Sequence, residues 1–271
     1  MAPHTAIEIA VGSVKAYVRA DGEIHIGQNV RVVEGTELGW PNKPIENLYI
    51  GDNVTLFGGK FATKSLVIGD YTKIHNGAWC YGRGHCYIGY NAWFGRTCTI
   101  DCEGGFSVGN GFGAGEESKL WSHIRHGDVL EGCAYLSFGR FVAGDDVWLV
   151  GRCSTSPVRI ADKVVVFNES NVVHDIDVPN TVWAGNPARD ITAKVGKPYS
   201  TRSLEDKWRI FNNKVSSFHG SPNDMEEFRS NLDLDKRTYR KTGSATEVEL
   251  MWHLLPEIKL TPQGCGLPHY A

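Results

Sequence analysis

Small or aliphatic residues recur at every sixth position from Ile50, through Leu56, Ala62, Ile68, Ile74 and Cys80. The count restarts at Ile88, with Phe94 and Ile100, and again at Val108. It resumes at Ala143 with Leu149, and at Ile160 with Val166 and Val172. A helix repeats its buried positions about every 3.6 residues and a half-buried strand about every 2, so neither produces a phase of six. A short fixed period predicts a stacked solenoid, the parallel β-helix class of all-β repeat architecture. The strands of a β-sandwich with regular turns do not keep such a phase.

The anchors share a local signature. Ile50-Gly51-Asp52-Asn53-Val54 recurs as Ile68-Gly69-Asp70-Tyr71-Thr72, Ile88-Gly89-Tyr90-Asn91-Ala92 and Val108-Gly109-Asn110-Gly111-Phe112. Looser copies are Ala143-Gly144-Asp145-Asp146-Val147 and Ile160-Ala161-Asp162-Lys163-Val164. One aliphatic residue per six points into the coil, and Gly, Asn or Asp then permits a tight corner of positive φ. Ile50 to Ile68 is eighteen residues, three sixes, which predicts a three-sided coil. The gaps of eight, Cys80 to Ile88 and Ile100 to Val108, read as two-residue extensions at a corner.

The 271 residues fit one large domain, or one domain with a smaller appendage. A net charge of −3, from 28 basic and 31 acidic residues, argues against a general affinity for nucleic acid. Met1-Ala2-Pro3-His4-Thr5 has no basic-then-apolar run, so no signal peptide is expected. No apolar stretch approaches ~18 residues, so neither is a transmembrane helix. The cysteines Cys80, Cys86, Cys98, Cys102, Cys133, Cys153 and Cys265 are odd in number and form no CxxC pair. This predicts neither a zinc site nor a disulfide framework, and a reduced, cytoplasmic setting is the simplest inference. Cys80 falls on the six-residue clock and reads as a small wall residue.

Along the chain, residues 1–23 read as a lead-in strand and residues 24–199 as the solenoid, with Ile24 to Val30 as its first recognisable rung. Residues 115–142 lose the phase completely and carry Ser122-His123-Ile124-Arg125-His126. A phase-breaking excursion from a regular scaffold is where function concentrates. Residues 200–271 read as an α-rich appendage. Ser203 to Phe218 has helical periodicity, and Ser244-Ala245-Thr246-Glu247 is a capping box. Arg237 to Arg240 reads either as a strand or as a linker.

The sixes, the out-of-phase histidine loop, Asp146-Val147-Trp148-Leu149 and the closing run Asp177-Val178-Pro179-Asn180-Thr181-Val182-Trp183-Ala184-Gly185-Asn186-Pro187-Ala188-Arg189 together resemble the hexapeptide-repeat acyltransferases. The likeness spans about residues 24–195 and is nearest in layout to galactoside and maltose acetyltransferases and polysaccharide O-acetyltransferases. It implies a left-handed parallel β-helix, an exception to the usual right-handed crossover. It also implies a homotrimer, acetyl-CoA as donor and active sites at subunit boundaries. The first loop histidine, His123, aligns with the family's general base, with His126 as an orienting or substrate-side residue. Glu103, five before Val108, stands where relatives contact the acceptor hydroxyls, and Asp101 is close by. Arg189 and Lys194 fall where the family meets the coenzyme phosphates. Two departures touch the donor groove. Relatives carry Gly-Ala-Gly-Ser where this chain has Phe167-Asn168-Glu169-Ser170, and Leu-Pro-Gly-Val where it has Thr155-Ser156-Pro157-Val158. Ser156, Asn168 and Ser170 are thus the donor-groove candidates, and the polar bulk at Asn168 and Glu169 is expected to reshape the groove.

Acetyl transfer from a thioester to a hydroxyl needs a base, oxyanion stabilisation and alignment of the two substrates. Histidine suits the first role because its reference pKa, ~6.5, lies near working pH. Trp148 reads either as a wall of the substrate tunnel or as an exposed corner aromatic. Cys133 has no partner at a recognisable spacing that would make it a nucleophile. The sequence thus points to an acetyl-CoA-dependent O-acetyltransferase on a sugar or glycan, with no metal. The alternatives are an N-acyltransferase on an amino sugar and a catalytically silent β-helix scaffold. A zinc enzyme of the γ-carbonic-anhydrase kind needs three histidines at corresponding rung positions, and His75, His85 and His123 do not fall there.

Overall fold

Three faces of short parallel strands wind around one apolar interior. The computed structural model describes residues 6–134, 136–264 and 266–270, and they divide into two units, residues up to 199 with 268–270, and residues 200–267. The first unit is an all-β solenoid, a parallel β-helix of hexapeptide repeats. Each coil runs from face A through face B to face C. In one coil these are Ala78–Tyr81, His85–Ile88 and Trp93–Phe94. The next coil repeats them in register, so Cys80 sits over Ile100, Ile88 over Val108 and Phe94 over Ala114.

The six-residue clock is the inward ladder of these faces. Ile50, Ile68 and Ile88 stack on face B, and Leu56, Ile74 and Phe94 on face C, all fully buried. Each contributes ~1.5–3 kcal/mol by leaving water. One anchor departs from the expected phase. Phe61, not Ala62, is the register partner of Cys80, because Gly58 and Gly59 turn the preceding corner at φ 120° and 140° and shorten it by a residue.

The corner signature has a physical cause beyond the turn. Where Asp or Asn stands two residues after the anchor, its side chain accepts the backbone N–H of the coil before. Asp70 Oδ1 accepts from Asp52 N at 3.0 Å, Asp145 Oδ1 from Asn110 N at 2.7 Å and Asp162 Oδ1 from Asp145 N at 2.9 Å. A methyl group at Gly51 or Gly144 would collide with the carboxylate below it. The third residue after the anchor takes positive φ, even where it is Tyr71 or Lys163. These two side chains accept a conformation that most residues avoid.

The extra residues of the clock all fall on the edge between faces A and B. The corners at 82–84 and 102–105 lie there, and so does the excursion that follows Leu120 and rejoins at Phe141. The expected lead-in strand is instead a hairpin, Ala6–Val11 and Val14–Arg19, turned at Gly12 with φ 59°, and its second strand already belongs to face A. At the other end of the chain, Tyr270 N donates to Tyr87 Oη at 2.7 Å, so the last described residues lie along face B.

The second unit holds helices Leu204–Val215, Pro222–Ser230 and Ala245–Leu254, with a three-stranded sheet that includes Thr238–Tyr239. Phe211, Phe228, Tyr239, Leu250 and Leu254 form its buried interior. The predicted capping box is present in altered form. Ser244 Oγ accepts from Glu247 N, but the Glu247 carboxylate reaches back to Thr242 N and Oγ1. Among the described residues no helix is long and apolar enough to cross a membrane.

Candidate active site

The excursion after Leu120 is a β-hairpin, His123–Arg125 against Leu136–Phe138, planted on the A–B edge. Its neck is closed by Gly139 N donating to Ser122 O at 3.1 Å. Beneath the neck lies Asp101, the last residue of a face-A strand and fully buried. Its Oδ2 accepts from Ser122 N at 2.9 Å, Ser122 Oγ at 3.0 Å, His123 N at 2.9 Å and His123 Nδ1 at 2.7 Å. Its Oδ1 accepts from Glu103 N at 3.1 Å. A buried carboxylate is tolerable only with such satisfaction.

The consequence falls on the imidazole. With Nδ1 held by a carboxylate oxygen, the neutral ring carries its proton there and keeps a lone pair on Nε2. Nε2 has no partner among the described residues, and the side chain is 30% exposed. The arrangement is that of a base oriented by a buried acid, its side chain partly open to solvent.

Several expected site residues take other parts. Asp101 is expected to lie near the acceptor, yet it is sealed behind His123, its oxygens occupied by the protein's own donors. Glu103 is engaged by Arg83, through the guanidinium Nε and the backbone N at 3.0 Å, so its carboxylate fastens the adjacent corner. His126 lies exposed beyond the strand, away from the Asp101 pair, with no hydrogen bond to a described residue. Ser170 is buried, and its Oγ accepts from Gly185 N at 3.0 Å, an internal role. Trp148 is exposed on face C, against Gly113, and is not brought to the A–B edge of its own chain.

Ser156 does fall on the A–B edge, one coil beyond the hairpin. Asn168 and Glu169 form the exposed corner between faces C and A, where Glu169 takes φ 60° and pairs with Arg152 at 2.8 Å. Arg189 and Lys194 are exposed near the end of the coil. Cys133 packs against Gly127 within the hairpin loop, and Cys265 lies outside the described residues. His75 is on face C, where it stacks on Phe57 and accepts from Trp93 Nε1 at 3.1 Å. His85 is on face B, against Tyr87.

Two features escape sequence reasoning. A cavity of ≈ 500 Å³ opens on face B beside the hairpin, between Arg140, Arg159, Ser107 and Pro157. The cysteine spacing predicts no metal site, yet the coil gathers Cys80, Cys86 and Cys102 with all sulfurs within 4.8 Å of one another. Only the stacking of coils could have revealed either.

No protein-family model matches the chain, and no curated protein sequence matches it. Solved structures do. The chain is similar in fold to a hexapeptide-repeat acetyltransferase of Vibrio cholerae, at 17% identity and a TM-score of 0.38 over 65% of this chain and 74% of the other. It is similar to a maltose O-acetyltransferase of Clostridium difficile 630, at 19% identity and a TM-score of 0.36 over 62% and 67%. It is also similar to AntD, an N-acyltransferase of Bacillus cereus in complex with dTDP and 3-hydroxybutyryl-CoA, at 17% identity and a TM-score of 0.45 over 72% and 93%.

Proposed function

We propose that the protein is an acetyl-CoA-dependent acyltransferase that acetylates a hydroxyl of a sugar or glycan. The observation that carries this reading is the His123–Asp101 pair at 2.7 Å on the hairpin of a hexapeptide-repeat coil. His123 Nε2 takes the proton of the acceptor hydroxyl as its oxygen attacks the thioester carbonyl. The carbon–sulfur bond then breaks, and the departing coenzyme thiolate recovers the proton from the imidazolium. Asp101 fixes the tautomer and faces the positive ring while it carries the proton. Transfer is direct in a ternary complex and needs no protein nucleophile.

The donor binds along the coil beyond the hairpin, past Ser156 and the Asn168 corner, with its phosphates near the exposed cations Arg189 and Lys194. The cavity beside Arg140 seats the acceptor. The active unit is a homotrimer. Its support is the hairpin, where Leu130 and Phe138 are 97% and 68% exposed and Ile124 and Val129 also face outward. A neighbouring copy covering them would wall the site. The six described cysteines are all free, which supports a cytoplasmic setting.

The test is coenzyme release from acetyl-CoA across a panel of sugars and glycans, with products read by mass spectrometry. Acceptor-dependent release that disappears in His123→Ala is expected. Equal release by the two proteins would refute the reading. The same dyad serves an amine acceptor, and the mass and alkali stability of the product separate an ester from an amide. Light scattering is expected to give a mass near three times 29.9 kDa.

A further inference from the structure

We propose that Cys80, Cys86 and Cys102 form a buried three-sulfur site for one soft metal ion, copper(I). Cys80 Sγ lies 3.6 Å from Cys86 Sγ and 3.7 Å from Cys102 Sγ, and the third separation is within 4.8 Å. A point equidistant from three such atoms lies ~2.1–2.4 Å from each, the length of a thiolate–metal bond. The sulfurs come from one corner of two successive coils. Cys80 and Cys86 flank the A–B corner of one coil, and Cys102 lies in the same corner of the next.

The other buried thiols behave differently. Cys98 and Cys153 sit singly and donate to backbone carbonyls, at 3.3 Å to Gly115 O and 3.3 Å to Phe167 O. Cys80, Cys86 and Cys102 turn to one another, Cys102 with a further contact to Ile100 O at 3.8 Å, and they are the only such ligand group among the described residues. Filling space does not require three polarizable atoms at one point.

Ligand type and number select the ion. Sulfur ligands favour copper(I), zinc and iron–sulfur clusters. Zinc in a closed site takes four ligands, and the described residues place no fourth His, Cys, Asp or Glu here. Copper(I) is satisfied by three. On binding, Cu–S bonds replace the S–H bonds, the thiol protons leave to solvent, and no electron is transferred.

All three sulfurs are shut away from solvent, so the ion enters as the chain folds. The full-length protein should therefore be produced in copper-supplemented medium, purified under reducing conditions and assayed for metal by mass spectrometry. The native chain is expected to hold a single copper ion, as should Cys98→Ala/Cys153→Ala. Cys80→Ala/Cys86→Ala/Cys102→Ala should hold at least ~10-fold less, having lost every soft ligand of the site. X-ray absorption on the native chain is expected to show three sulfur neighbours at ~2.2–2.4 Å. Copper at the same level in native and triple variant, or zinc in preference to copper, would overturn the proposal. So would a nitrogen or oxygen shell in the absorption spectrum, which decides the matter on the native chain alone if the triple variant does not fold.

Discussion

Replacing Asp101 by Asn separates the two roles this carboxylate can have. Four donors converge on Oδ2 and a single one, Glu103 N, on Oδ1. The amide therefore turns its oxygen to the four and its NH₂ toward Glu103 N. Donor then faces donor, and one buried N–H loses its acceptor at a cost of ~1–3 kcal/mol in stability. His123 Nδ1 keeps an acceptor, so the tautomer survives, but the acceptor is now neutral. A charged hydrogen bond contributes ~1.5–3 kcal/mol and a neutral one ~0.5–1.5, so the imidazolium of the transition state loses ~1–1.5 kcal/mol. That is a fall in kcat of ~5–15-fold. Asp101→Ala leaves all the donors orphaned and the tautomer unset, and the fall should approach the full ~10²–10⁴ worth of a positioned base. The assay is steady-state coenzyme release at varied acetyl-CoA and varied acceptor, with a melting curve for each variant. The expected signature is a loss in kcat with both KM values unchanged. An acceptor KM raised ~10-fold at unchanged kcat would mean a lost substrate hydrogen bond, and would refute the dyad.

His123→Ala should lower kcat by ~10²–10⁴ and leave acetyl-CoA affinity by calorimetry unchanged, whereas His126→Ala should cost far less. A reversed order would move the base to His126. Glu103→Ala should leave the acceptor KM within ~3-fold of native, since its carboxylate serves Arg83, and the exposed ion pair itself is worth only ~0–1 kcal/mol. A large KM rise in that variant would restore the acceptor role that the sequence predicts. Ser170→Ala should lower stability by ~0.5–1.5 kcal/mol in chemical denaturation, because the hydrogen bond from Gly185 N–H is lost, and should not alter the acetyl-CoA KM.

The repeat makes the coil legible in the sequence alone. A phase of six admits few architectures, and the Gly-Asp pair at each corner marks a packing demand that recurs in every coil. His123 was legible for a related reason, since it lies where the phase fails. The role of Asp101 was not. Its distance from His123 in sequence is twenty-two residues, and only the coil spacing makes them neighbours. The pairing of Glu103 with Arg83, one coil earlier, is hidden for the same reason. The face-A phase slip at Phe61 was hidden by Ala62, which is also buried. A two-residue turn at Gly12 carries no period, so the opening hairpin read as one strand.

The closed neck of the hairpin has a consequence for how such a chain can change. Leu120 pairs onward with Thr155, and Phe106 with Phe141, so the strands above and below the excursion meet as though it were not there. Gly139 N returns to Ser122 O, and the chain leaves and re-enters the coil at one point. Within the chain, lengthening the tip between Arg125 and Leu136 costs little more than the closure entropy of a surface loop, ~0.6 kcal/mol per doubling of length. The hairpin is in this sense a cassette. Its tip can be rewritten for a different acceptor while His123, at the socket, stays on a carboxylate that belongs to the coil.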